Sequence, residues 1–138
     1  MAKAILLISR YFLAVLFIST AIGKLLDNRG FAHVIDTYQL GIPNNALLGL
    51  ALFLSLLELL IGINILRGLA LRLNVCTTLA FHLGYASLAF VTLLRGIALS
   101  NCGCFGVFLA RPLSWATVVE DLVLATVSLT CWLLLKKR

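Results

Sequence analysis

Cys102 and Cys104, one residue apart with Gly103 between them and Phe105-Gly106 behind, are the residues of this sequence best suited to chemistry. A disulfide between positions i and i+2 closes a very small ring that departs from relaxed geometry, and strained disulfides are the easily reduced ones. Gly103 suits such a ring because it has no Cβ to restrict the backbone. As a structural staple the bond would gain little, since stabilisation grows with the length of the closed loop. Arg95, upstream of the pair, is placed to favour the attacking thiolate. Two other readings share the same residues. Two thiolates could form half of a soft Cu(I) or Zn(II) site, or the stretch could be a tight turn without chemistry.

A metal reading needs more ligands, and the sequence offers few. Cys76 and Cys131 fall near the opposite ends of their segments, more than ~20 Å away at the helical rise per residue. They read as apolar filling, the usual role of free cysteine. Only His33 is placed to join the pair, so no metal site is expected.

The elements that must carry this stretch are membrane helices. The 138 residues are 62% hydrophobic and 12% charged, against roughly 25% charged in soluble domains. Four apolar segments, at about 4–26, 46–66, 72–94 and 115–135, each have the ~20 residues a helix needs to cross a bilayer. Strand-like alternation is absent, and lipid leaves helices as the natural way to satisfy the backbone. The expected fold is all-α, a single transmembrane domain over 1–138 built as a four-helix bundle in the lipid bilayer. The first segment is too long for a signal peptide and is broken by Arg10, so it reads as a retained helix.

Between the first two segments, Phe31, Val34, Ile35 and Tyr38 fall at i, i+3, i+4 and i+7, one face of a helix. A short amphipathic helix is expected there, ended by Gly41-Ile42-Pro43. The connection that holds the cysteines carries Phe105, Val107, Phe108 and Leu109, poor choices for a solvated loop, so it is expected to fold back onto the bundle.

Basic residues set the orientation. With the N-terminus inside, Lys3, Arg67, Arg72, Lys136, Lys137 and Arg138 lie on the inner side, and Lys24, Arg29, Arg95 and Arg111 on the outer. Both termini are then cytoplasmic, and the cysteine loop faces the oxidising side, the periplasm of a bacterium, where disulfides persist. The net charge of +6 is read as this topology signal. No basic run with interleaved aromatics suggests nucleic acid.

Ionisable residues inside the membrane are functional candidates by default. Arg10, Glu58 and His82 fall at nearly one depth, about 9, 12 and 15 Å from the inner ends of their helices at ~1.5 Å per residue. A buried Arg10–Glu58 ion pair near His82 is expected, as a structural clamp or as part of a proton or quinone site. Nearer the outer side, Lys24 is expected to pair with Glu120 or Asp121. Ala80 and Gly84 are small enough for close helix contact.

Several stretches together, "RYFLA", "AIGKLLD", "YQL", "LELLIGINILRG" and "CGCFG", resemble the MauE branch of the MauE/DoxX membrane proteins over nearly the whole chain. The resemblance implies a four-helix protein of the bacterial inner membrane associated with methylamine utilisation. It further implies a redox role beside a periplasmic thioredoxin-like partner, with Cys102 and Cys104 as the active pair and Gly103, Phe105 and Gly106 supporting them. It leaves the enzymatic status open. Similar membrane oxidases use two cysteine pairs and this chain has one, so electrons would pass directly to a partner or a quinone. The contrasting expectation is a non-catalytic subunit of a larger membrane complex, with the apolar loop as an ordered plug.

Overall fold

The structure, a computed structural model, describes residues 1–137. Five helices follow one another: α1 (Ala2–Leu26), α2 (Asn28–Thr37), α3 (Asn44–Arg67), α4 (Leu71–Leu94) and α5 (Trp115–Lys136). All but α2 are long and apolar enough to cross a membrane, and the chain is a multi-pass membrane protein. The sequence places these spans to within two residues at each end. Arg138, part of the charge count above, lies outside the described residues.

The long helices run alternately up and down. α1 lies against α3 and α5, and α4 lies against α5 and α3, closing a four-helix ring. Both termini and the α3–α4 turn share one end of the bundle, where Leu6, Leu13, Ile65, Val75, Cys131 and Leu135 form a buried cluster. α2 and the segment between α4 and α5 share the other end, called here the loop end.

Outward faces are greasy along every long helix: Ile8, Val15, Phe53, Leu73 and Val119 are all more than half exposed. Several polar residues turn inward instead, while exposed ones such as Ser87, Thr126 and Thr130 bond back to their own helix. Ser55, Thr78 and Ser128 are fully buried, and the Thr78 hydroxyl donates across the α4–α5 contact to Ser128 Oγ at 3.1 Å. This inverted arrangement suits a lipid solvent, in which a polar group finds partners only within the protein.

α2 forms because Asp27 caps it, its carboxylate accepting the Gly30 N–H at 2.9 Å. The expected apolar face is the buried one: Phe31, Val34, Ile35 and Tyr38 are each at most 8% exposed, while His33, Asp36 and Gln39 face out. α2 lies mainly along α3 at the loop end. The α3–α4 turn is closed by Gly68 at φ +79°, with Leu69 N–H bonded to Asn64 O at 2.8 Å, a left-handed helix stop that glycine permits.

The cysteine-bearing segment folds back onto the end of α1, and two glycines make that approach possible. A Cβ at Gly23 would stand 2.4 Å from the Phe105 carbonyl oxygen, and a Cβ at Gly106 would stand 2.4 Å from the Gly23 carbonyl oxygen. Gly106 is also at φ +75°, a conformation that side chains rarely adopt. Neither clash is with a flexible side chain, so neither can be relieved locally. Ala80 and Gly84 do not serve helix contact as expected: both are exposed, and a Cβ on Gly84 would meet nothing.

These surroundings separate two otherwise similar substitutions. Gly23→Ala should lower stability by about 1–3 kcal/mol, the usual cost of overpacking a closed contact. Gly84→Ala should be neutral or stabilise by up to about 1 kcal/mol, since alanine is the better helix former. Thermal unfolding of the two variants in the same detergent checks the contrast.

Candidate functional site

The loop around the cysteines is organised by backbone and side-chain hydrogen bonds. Cys102 N–H donates to Arg111 O at 2.8 Å and Leu113 N–H to Leu99 O at 3.0 Å, pinning the two legs together. Asn101 bridges the tip, its side-chain oxygen accepting the Gly103 N–H at 2.9 Å and its amide donating to Gly106 O at 3.1 Å. From α2, the Tyr38 hydroxyl donates to Cys102 O at 2.5 Å. Burial of that phenol pushes its pKa up, with the nearby cysteines adding to the effect, so it stays a donor. Gly103, at φ +78°, lies against Val34 and Phe31 of α2.

This frame brings the two sulfurs together. Cys102 Sγ and Cys104 Sγ are 2.7 Å apart, and the Cys104 N–H also points at Cys102 Sγ, at 3.5 Å. Cys102 is buried and Cys104 half-buried. The two thiols are electrostatically unlike. The hydrogen bond from Cys104 pulls Cys102 down to about 6, against the opposing effect of burial, with the Arg111 guanidinium assisting. The same bond, together with burial, holds the Cys104 thiol far above the usual range. Cys102, which also receives the Cys104 backbone N–H, is the thiol of lower pKa in the reduced pair.

Directly beneath lies a buried ion pair. Lys24 Nζ is 2.8 Å from both carboxylate oxygens of Glu58, and the two residues are at most 2% exposed. Tyr85 donates its hydroxyl to Glu58 Oε1, and Thr20 Oγ1 lies 3.4 Å from Oε2. The ammonium also sits over the rings of Phe31 and Tyr85, at 5.3 and 5.2 Å. Beside this pair a cavity of about 350 Å³ reaches from Cys104 down to Phe17 and His82.

The chain matches the family described as methylamine utilisation protein MauE over residues 2–135. It belongs to that family. Two methylamine utilization MauE proteins are similar to it, from Paracoccus denitrificans and Paracoccus versutus, at 32% and 33% identity. Each alignment runs over 121 residues, 87% of this chain and 64% of the relative, so the chain spans just under two thirds of the relatives' length. No solved structure matches the chain.

Within this MauE-family bundle the expected charge pairings are rearranged. Arg10 does not meet Glu58. Its guanidinium donates to Ile65 O at 2.9 Å and Leu66 O at 2.8 Å, capping the C-terminus of α3, the negative end of that helix. Side chains lean toward their own helix N-terminus. In the antiparallel α1–α3 pair, Arg10 and Glu58 therefore lean apart, while Lys24 and Glu58 lean together. Lys24 accordingly pairs with Glu58 and not with Glu120 or Asp121. Glu120 takes Arg111 instead, at 2.5 Å on the surface.

His82 stands near Asp121, Nδ1 to Oδ1 4.0 Å, too far for a hydrogen bond. Arg95 does not act on the thiols; it donates to Tyr38 O at 3.0 Å and Gln39 O at 3.1 Å, closing the end of α2. Arg111 holds the place assigned to Arg95. His33 lies on the exposed face of α2, and among the described residues no group of three His, Cys, Asp or Glu could hold a metal. The sequence reading missed Tyr38, Tyr85, Asn101 and Arg111. Tyr85, one helical turn after His82, was the nearest to detectable.

Two measurements follow from these geometries. In a Cys76→Ser, Cys131→Ala background, the thiolate absorbance of the reduced pair should rise through about pH 6, against about 8.5 for an ordinary cysteine. Arg111→Gln should move that midpoint upward, and Arg95→Gln should leave it in place. For the ion pair, Glu58→Ala strands a buried ammonium and should cost about 3–5 kcal/mol. A Lys24→Met, Glu58→Leu double variant should recover most of that loss in thermal unfolding, because no uncompensated charge remains.

Proposed function

We propose that this chain is a thiol–disulfide redox protein of the bacterial inner membrane, with the cysteine loop facing the periplasm and both termini in the cytoplasm. The observation that carries the reading is the pair itself. Two sulfurs in contact, with the Cys102 thiol lowered and the Cys104 thiol raised, sit in a loop fixed by backbone and side-chain hydrogen bonds. The orientation is supported by Lys3, Arg67, Arg72, Lys136 and Lys137 near the terminal end. Membership of the MauE family and the two MauE relatives support a role in methylamine utilisation.

The chemistry runs as exchange. When the pair is oxidised, a thiolate of a reduced periplasmic thioredoxin-like protein or client attacks Cys104 Sγ. Cys102 leaves as the thiolate, since the thiol of lower pKa is the better leaving group. The client's second thiolate then attacks its own sulfur in the mixed disulfide, releasing Cys104, which takes a proton. Two electrons pass from client to pair, with one proton ending on Cys104 while Cys102 remains the thiolate. Cys104 is also the less buried residue of the two.

A second reading, an accessory subunit of a larger membrane complex, is favoured by Phe108 and Leu109, which are 64% and 63% exposed on the loop.

The discriminating experiment uses the protein in nanodiscs with a reduced thioredoxin-like dithiol protein, acid quench and alkylation, read by mass spectrometry. The intact pair should be reduced stoichiometrically, and the Cys102→Ala, Cys104→Ala double variant should be inert. With an oxidised client, Cys102→Ser should collect a mixed disulfide on Cys104, and Cys104→Ser should collect far less. Client oxidation in cells that survives the double alanine variant would sink the redox reading and leave the subunit reading.

A further inference from the structure

The bundle hides unpartnered polar atoms beside the cysteine loop. His82 is 4% exposed, and both of its ring nitrogens are buried without a hydrogen-bond partner; Asp121 Oδ2 is in the same state. Buried polar atoms are nearly always satisfied, by protein, water or ligand. Lys24 and Glu58 hold each other, with Tyr85 on Glu58, and neither makes a hydrogen bond to His82 or Asp121. His82 and Asp121 both line the 350 Å³ cavity between α1 and α5, and Cys104 lines it as well.

One mouth of the cavity faces the lipid, while the exposed Arg111–Glu120 pair lines another part of its rim. Leu16, Val119 and Val123 line the cavity, and the two valines are more than half exposed on the outer face of α5. The volume falls within the range of small-ligand sites, roughly 300–1,000 Å³, which are mostly apolar with a few placed polar groups. An occupant must therefore be lipid-soluble, and it must offer partners to an imidazole and a carboxyl group. Both of those groups can hold or give up a proton.

We propose that this cavity binds the ring of a membrane quinone, which takes the electrons of the Cys102–Cys104 pair. The inference rests on the redox reading above and names its acceptor. The reduced pair, a Cys102 thiolate and a Cys104 thiol, loses two electrons and the Cys104 proton as the bond between Cys102 Sγ and Cys104 Sγ forms. The quinone gains those two electrons, that proton and a second proton drawn from water, its two carbonyl oxygens becoming hydroxyls. A carbonyl that becomes a hydroxyl asks first for a donor and then for an acceptor, and the two nitrogens of His82 supply either. Asp121 offers the second proton-exchanging partner.

The test uses the full chain in nanodiscs with a decyl-tailed benzoquinone as the probe. Binding is measured by equilibrium dialysis against empty nanodiscs, first on a Cys102→Ser, Cys104→Ser protein that cannot turn over. Saturable binding of one quinone per chain is expected. Val123→Trp, which closes the mouth from the lipid side, and His82→Phe should each weaken it by at least about tenfold, a change on the scale of one lost hydrogen bond or a blocked site. In the intact protein the same two variants should slow quinone-driven oxidation of the reduced pair while exchange with the thioredoxin-like protein continues.

Quinone uptake no greater than that of empty nanodiscs, or binding indifferent to both substitutions, overturns the site. If exchange with the client persists in that case, the redox reading stands and its acceptor lies elsewhere. If the quinone binds and oxidises the pair but no client exchanges, the site stands and the client reading fails.

Discussion

A carboxylate enclosed by apolar helices in lipid must be met by a cation and by donors for its remaining lone pairs, and Glu58 is met by Lys24, Tyr85 and Thr20. These groups come from α1, α3 and α4, so one cluster registers three of the four long helices against each other. The desolvation cost of the charges is offset only while all the partners are in place. Lys24 directly follows Gly23, where the cysteine loop rests on α1. The residue that neutralises the core and the residue that seats the loop are therefore neighbours on one helical turn. The position of the sulfurs is inherited from the ion pair below them.

Above that base, the loop converts backbone order into chemical asymmetry. Tyr38, Asn101 and Arg111 fix the peptide groups around Cys102, leaving the two sulfurs in contact. Identical side chains then differ because one receives hydrogen bonds and the other gives them. Arg111 acts from the opposite leg of the loop, with Glu120 turning its guanidinium. Beneath the loop, a cavity lined by residues of α1 and α5 reaches Cys104 past Val119 and Val123.

Much of this could be read from residue order. The four spans follow from apolar length, and α2 from the spacing of Phe31, Val34, Ile35 and Tyr38. The proximity of Cys102 and Cys104 needed only their separation in the chain. Partner choice was less accessible. Counting Cα depth brings Arg10 and Glu58 level, but the lean of each side chain decides what it touches, and that lean reverses between antiparallel helices. The exchange of Arg95 for Arg111 has a similar origin: each is seven residues from the nearer cysteine, so chain separation could not choose between them, and the folding-back of the loop brought the second across.

The contact between Gly23 and Gly106 has a consequence for how such a chain can change over time. Each glycine's missing side chain is the space occupied by backbone of the other's segment. Neither site can accept even a methyl group while the loop keeps its seat, and retaining one glycine gives no relief to the other. The two positions thus behave as a single inherited character, in which a lineage that abandons the docked loop is released from both at once.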